Sequence, residues 1–97
     1  GLRVKKIIVM PCLIELGNAS KEVHKRIGIK IAEVCDLAII TTRDRFYDIQ
    51  QGAGGSEKMV CIENPIEIAE KIKSTTRPGD VVLLEGRVPP ALLSYLV

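Results

Sequence analysis

Apolar positions along the chain alternate between two textures. Arg3 to Met10 (RVKKIIVM) starts polar and ends in a β-branched run, as a buried strand does. Val23, Ile27, Ile31 and Val34 then recur at spacings of four, four and three. The charged residues between them fall elsewhere on the wheel, which predicts an amphipathic helix from Ser20 to Val34. Asn18 or Ser20 is the expected cap, since a side-chain oxygen there can accept an orphan amide of the first turn. Leu37 to Thr41 (LAIIT) reads as a second buried strand. Asp44 to Gln51 reads as a short helix with Gly52 as its C-terminal cap, followed by a glycine-rich turn to Ser56. Lys58 to Ile62 (KMVCI) is a third strand.

Asn64-Pro65-Ile66-Glu67 is a strong helix start. Asn64 can cap it, and Pro65 sits at the first helical position, where its missing donor is not needed. Ile66, Ala69 and Ile72, with Ile68, are the expected inner face. Arg77 to Asp80 is a turn, Val81 to Leu84 (VVLL) a fourth strand, and Pro89-Pro90 opens a last helix through Leu92, Leu93 and Leu96.

The order β-α-β-α-β-α-β-α, with strands lacking polar alternation, predicts an α/β fold. The expected form is a Rossmann-like three-layer sandwich: a parallel sheet of about four strands in the order 3-2-1-4, with helices on both faces. In such sheets ligands bind beyond the carboxyl ends of the strands, at the point where strand order reverses. Four loops reach that edge: 11–19, 42–44, 63–64 and 85–90. The 97 residues fit one domain.

Charge and composition narrow the function classes. Fourteen basic against twelve acidic residues leave +2, too little for a nucleic-acid stripe or a polybasic membrane anchor. Aromatics are 3%, which argues against a base-stacking platform. No apolar run approaches the roughly 20 residues needed to span a bilayer. Three cysteines (Cys12, Cys35, Cys61) without C-x-x-C spacing, one histidine and no leader-like segment predict reduced thiols in the cytoplasm and no zinc site.

The first edge loop, Pro11-Cys12-Leu13-Ile14-Glu15-Leu16-Gly17, carries bulky side chains where a dinucleotide fingerprint needs glycines, and no P-loop motif occurs anywhere. Cys12 stands where cysteine phosphatases and phosphotransfer subunits place a nucleophile. The phosphatase arginine six residues on is Asn18 here, so a half-buried thiol facing a pocket or partner is the competing reading. His24 lies off the apolar stripe, as a solvated residue or a ligand contact near the edge. Glu15 can satisfy amides at the helix start or meet a ligand. Arg43, Arg45 and Arg87 follow strands on the ligand edge, where a guanidinium can hold a carboxylate or phosphate bidentately. One histidine and scattered acids make no complete catalytic set.

The stretch Pro11 to Gly28 (PCLIELGNASKEVHKRIG) resembles the opening of the C-terminal domain of the Mur ligases, most closely the branch that adds D-alanyl-D-alanine to peptidoglycan precursors. Glu15, Leu16, Gly17, His24 and Gly28 stand at the family's spacing. Asp36 with its strand, Gly79-Asp80-Val81-Val82-Leu83-Leu84 and Gly86 match its middle and its end. The family's lysine before that last glycine is Glu85 here, and its Ser-Arg is Arg87-Val88, with the arginine one place earlier.

The resemblance implies the substrate-binding domain of a three-domain, ATP- and magnesium-dependent amide-bond-forming ligase. Such enzymes phosphorylate a carboxylate of a UDP-linked muropeptide, and the incoming amino acid or dipeptide displaces phosphate. ATP and Mg would be bound mainly by a central domain beyond these 97 residues, so the chain alone is expected to be inactive and to hold no cofactor. Glu15, Gly17, His24, Arg43, Gly86 and Arg87 are the implied substrate-binding residues. The alternatives are another Mur or folylpolyglutamate-type ligase domain, or a free-standing α/β phosphotransfer or ligand-binding module using Cys12.

Overall fold

A computed structural model describes residues 4–13, 17–55 and 57–85. Glu15, Gly86, Arg87 and the helix expected after Pro89 lie outside the described residues. Four strands and three helices alternate: β1 (Lys6–Met10), α1 (Ser20–Val34), β2 (Leu37–Ile40), α2 (Phe46–Gly52), β3 (Met59–Cys61), α3 (Pro65–Thr75) and β4 (Val81–Leu84). A 3₁₀ turn, Gly17–Ala19, runs directly into α1. The strands form one parallel sheet in the order β3-β2-β1-β4, as the alternation predicts. Ile7 pairs with Leu37 on one side of β1 and with Val82 on the other.

Successive strand side chains point to opposite faces, so the sheet divides the core in two. Ile7, Val9, Leu37 and Ile39 pack with Ile68, Ala69 and Ile72 of α3. Met10, Ala38, Ile40 and Met59 pack with Ile31 of α1 and Ile49 of α2 on the other face. All four residues of β2 are buried, as suits a strand covered on both sides. Edge strand β4 departs from that expectation: Val81 and Leu83 are about half exposed, while Val82 and Leu84 pack against the α3 layer.

Two carboxylates seat the entrance of β1. Asp36, just before β2, accepts the Lys6 amide (2.8 Å), and Asp80, just before β4, accepts the Lys5 amide (3.0 Å). Asp80 also accepts the Arg77 amide (2.8 Å), closing the turn in which Gly79 takes φ +100°. These two aspartates are therefore architectural, at the amino edge of the sheet.

The helices correct three expectations. The buried stripe of α1 is Ser20, His24, Gly28 and Ile31, whereas Val34 is exposed and Val23 and Ile27 are only partly covered. The reason is the approach of α2. A Cβ on Gly28 would lie 1.9 Å from the Ile49 carbonyl oxygen, and one on Gly52 would lie 2.0 Å from the Lys25 carbonyl oxygen. Two backbones meet there without side chains between them, which turns α1 by about one position toward α2. Gly52 is consequently the last residue of α2 and not its cap. Secondly, neither Asn18 nor Ser20 caps α1: the N-cap is Ala19, already helical because the 3₁₀ turn winds into it, and it makes no side-chain cap bond. Thirdly, Ile66 is exposed, which leaves Ile68, Ala69 and Ile72 of the four expected residues as the inner face of α3. The cap of α3 is as expected, with Asn64 Oδ1 accepting the amides of Ile66 (2.8 Å) and Glu67 (3.2 Å).

Candidate functional site at the carboxyl edge of the sheet

Strand order reverses between β1 and β4, so the switch point lies beyond Met10 and Leu84. The parallel ladder runs on past the strand ends. Thr41 donates its amide to the Met10 carbonyl (2.9 Å), and Glu85 donates to the Val9 carbonyl (2.9 Å). These bonds hold the starts of three edge segments in register: Pro11–Leu13, Thr41–Arg43 and Glu85.

Two side chains from different elements grip successive amides where the chain leaves β1. Thr42 Oγ1, beyond β2, accepts the Cys12 amide at 2.8 Å. His24 Nε2, on α1, accepts the Leu13 amide at 3.0 Å. The imidazole is fully buried. Its Nδ1 is 2.6 Å from the Ser20 carbonyl oxygen and 3.3 Å from Ser20 Oγ. A carbonyl only accepts, so Nδ1 carries the hydrogen and Nε2 offers the lone pair that Leu13 needs. His24 thus stands on the inner face of α1 rather than in solvent, with both ring nitrogens engaged.

Gly17 follows at φ +57°, a left-handed conformation that explains a glycine at this point of the loop. Nothing lies within 4 Å of where its Cβ would be, so the requirement is conformational and not one of space.

Cys12 is buried, and its thiol donates to the Thr42 carbonyl at 3.6 Å. Cys61, at the end of β3, donates to the same carbonyl at 3.6 Å. Burial first, and then the nearby Glu63, Cys12 and Asp44, push the Cys61 thiol up, against the lowering effect of Arg43. A carbonyl oxygen takes no proton, and the lone pair of the one imidazole is occupied by Leu13. Among the described residues, then, Cys12 has no adjacent base, and it is buried, whereas a nucleophilic thiol requires both a base and access.

Arg43 stands exposed at the outer end of the same edge, with Nε donating to Glu63 Oε1 at 3.0 Å. That hydrogen bond is the main reason its guanidinium is held even more firmly protonated than usual. Arg45 turns away and pairs with Asp48 of α2 (3.3 Å). The structure so brings Gly17, His24 and the Pro11–Leu13 segment to the switch, and leaves Arg43 two strands across, beside β3.

A mostly apolar cavity of about 430 Å³ opens beside the switch. Pro11, Leu13 and Glu85 form its upper end, and Met10, Ile31 and Leu83 are among the residues of its wall. A larger, shallower groove of about 660 Å³ lies between Lys25 and Ile29 of α1 and Tyr47, Gln51 and the glycine turn after α2. None of its residues stands at the carboxyl end of a strand, so the smaller cavity is the one that adjoins the candidate site. Sequence reasoning missed Thr42, which the β2–β1 pairing places under Cys12. The signal available was a hydroxyl residue directly after a buried strand on the ligand edge.

Among the described residues, no group of three or more His, Cys, Asp or Glu side chains is placed to hold a metal ion. No helix among them is long and apolar enough to cross a membrane.

No protein-family model matches the sequence, and no curated protein matches it. Solved structures do. The chain is similar to the MurF ligase from Thermotoga maritima, determined in complex with ADP, with a TM-score of 0.74 and 26% identity over 97% of this chain. It is also similar to MurF from Acinetobacter baumannii, with a TM-score of 0.65 over 86% of this chain; that likeness, at 24% identity, speaks for the fold. The chain spans 22% and 19% of those two proteins, a domain's share of each. Its fold is that of a Mur ligase C-terminal domain, as the Glu-Leu-Gly loop and the His–Gly spacing imply.

Proposed function

We propose that this chain is the C-terminal domain of an ATP-dependent, amide-bond-forming ligase of peptidoglycan precursor synthesis. It would receive the incoming amino acid or dipeptide and close on an ATPase domain of the same enzyme. The observation that carries this reading is the match of nearly the whole chain, at a TM-score of 0.74, to about a fifth of a MurF ligase.

The site fits the part of a reaction that one domain can perform. A loop gripped at its root, a left-handed glycine and an apolar cavity can bind and orient a small amine substrate. The described residues do not fit a magnesium–nucleotide site: they include no acidic cluster for a metal, and the loop after β1 begins Pro11-Cys12-Leu13 rather than with phosphate-cradling glycines. Nucleotide and metal therefore belong, on this reading, to the partner domain, and domain closure would assemble the whole site and exclude water. Glu15, Gly17, Gly86 and Arg87 are the proposed ligand-facing residues of the two loops at the switch. Arg43, whose Nε is taken by Glu63, would offer its Nη groups to a carboxylate.

The test is a titration of the isotopically labelled chain with D-alanyl-D-alanine, followed by amide chemical shifts. Weak binding, on the order of millimolar, is expected from a half-site. The shifts should gather at 11–19, 42–44 and 85–87. Arg43→Ala should weaken binding and leave the melting temperature unchanged. No shift at the carboxyl edge with this dipeptide or with free amino acids would overturn the reading.

A further inference from the structure

We propose that His24 is a positioning residue: its ring fixes the direction in which the loop after β1 leaves the sheet, and it does so through Leu13 rather than by touching a ligand. The ring is fully buried and joins the backbone of α1 to that of the loop root. One nitrogen donates to the Ser20 carbonyl four residues earlier on α1, and the other accepts from Leu13 at the root of the loop. A donor and an acceptor on one rigid ring set the distance between helix and loop. Thr42, beyond β2, holds the neighbouring Cys12 amide. Two successive amides of the loop root are thus held from two different elements, β2 and α1, immediately before the segment carrying Glu15 and Gly17.

Leu13 also forms the upper end of the cavity at the switch, so the same bond sets one wall of the cavity. The consequence for substrate rests on the functional reading given above; the consequence for the loop does not.

Two near-isosteric variants separate the two hydrogen bonds. His24→Gln places an amide oxygen near the position of Nε2 and can still accept from Leu13. His24→Asn places an amide nitrogen near Nδ1 and can still donate to Ser20, but it cannot reach Leu13. The experiment is amide hydrogen exchange and chemical shift in the full chain, with D-alanyl-D-alanine as the binding probe. The Leu13 amide should exchange at least tenfold faster in His24→Asn than in the wild type, beyond any change at Val9 in the core of β1. His24→Gln should keep Leu13 within about threefold of wild type. Dipeptide affinity should follow the same order, with a tenfold loss in His24→Asn and retention in His24→Gln.

Should both variants fail to fold, the wild-type chain decides. Nitrogen spectra of the imidazole should show hydrogen on Nδ1 and a bare Nε2, with a scalar coupling across the Leu13 N–H···Nε2 bond. Equal Leu13 protection in the two variants, or a ring protonated on Nε2 alone, would overturn the proposal. A wild-type chain that shows the protected amide and the coupling but binds no dipeptide would uphold the positioning role and sink the substrate assignment.

Discussion

Gly28→Ala is the sharpest perturbation that the packing offers. In an exposed helix interior this change stabilises by about 1 kcal/mol, because alanine loses less backbone freedom on folding. Here the new Cβ would stand 1.9 Å from the Ile49 carbonyl oxygen, 2.9 Å from the Ile49 carbonyl carbon and 3.0 Å from the Ala53 nitrogen. Ordinary contact begins at 3.4 Å, so α2 must withdraw by about 1.5 Å. The obstructing atoms are all backbone, and no rotamer can absorb the clash. A gap of 0.5–1 Å already forfeits roughly a quarter to a half of each dispersion contact across an interface. Overpacking of this kind costs about 1–3 kcal/mol, occasionally more. A clash deep inside the contact limit belongs at the upper end. Setting about 3 kcal/mol against the propensity gain of about 1 leaves a net loss of about 2 kcal/mol.

For a domain of this size that is a fall of about 8–16 °C in Tm. Urea and thermal unfolding followed by far-UV circular dichroism would measure it. Gly52→Ala meets the Lys25 carbonyl oxygen at 2.0 Å and should cost a similar amount. The double variant should lose less than the sum, since one separation of the helices relieves both clashes. A stabilised Gly28→Ala, or strictly additive losses, would refute backbone contact between α1 and α2.

Asp80 is held below the usual carboxylate value by the Lys5 amide and then by the Arg77 amide. Its contribution is full above the unfolded carboxylate value of about 4 and is lost as pH falls through the lower folded one. Asp80→Asn should therefore lower stability at neutral pH and flatten the acid limb of a stability–pH curve. Asn64→Ala removes the acceptor of two α3 amides and should cost about 1 kcal/mol by chemical denaturation, with Asn64→Asp close to wild type. Cys12, 3% exposed, should be alkylated more slowly than Cys61 in the native chain and at an equal rate in denaturant, read by mass spectrometry; equal native rates would contradict its burial.

Strands and connections were the most legible features. Ile7 to Met10, Leu37 to Ile40 and Val81 to Leu84 are short β-branched or leucine runs between helical periods, and handedness leaves parallel crossovers few options. Asn64-Pro65 marked its helix because a cap is a local bond between near neighbours. The loops of the carboxyl edge followed from the order of elements alone, and the strand order decides which of them flank the switch. Glu15, Gly86 and Arg87 remain readings of the sequence, outside the described residues.

His24 shows where local reasoning ends. Apolar spacing put the inner face of α1 on Val23, Ile27, Ile31 and Val34, which leaves a histidine outside. The inner face is set by what α1 meets, and it meets the backbone of α2 at Gly28. Periodicity measures side-chain hydrophobicity and assigns a glycine no weight, so a contact made by the absence of a side chain is invisible to it. The same holds for the Leu13–His24 and Cys12–Thr42 bonds, which join residues 11 and 30 positions apart. Element type, parallel pairing and the ligand edge follow from interactions between near neighbours and from chain handedness, whereas the order of the strands is decided by which of them pair in the folded sheet. The facing of α1, the burial of its histidine and the grip on the loop arise when separate elements compete for the same space, and that competition exists only in the folded molecule.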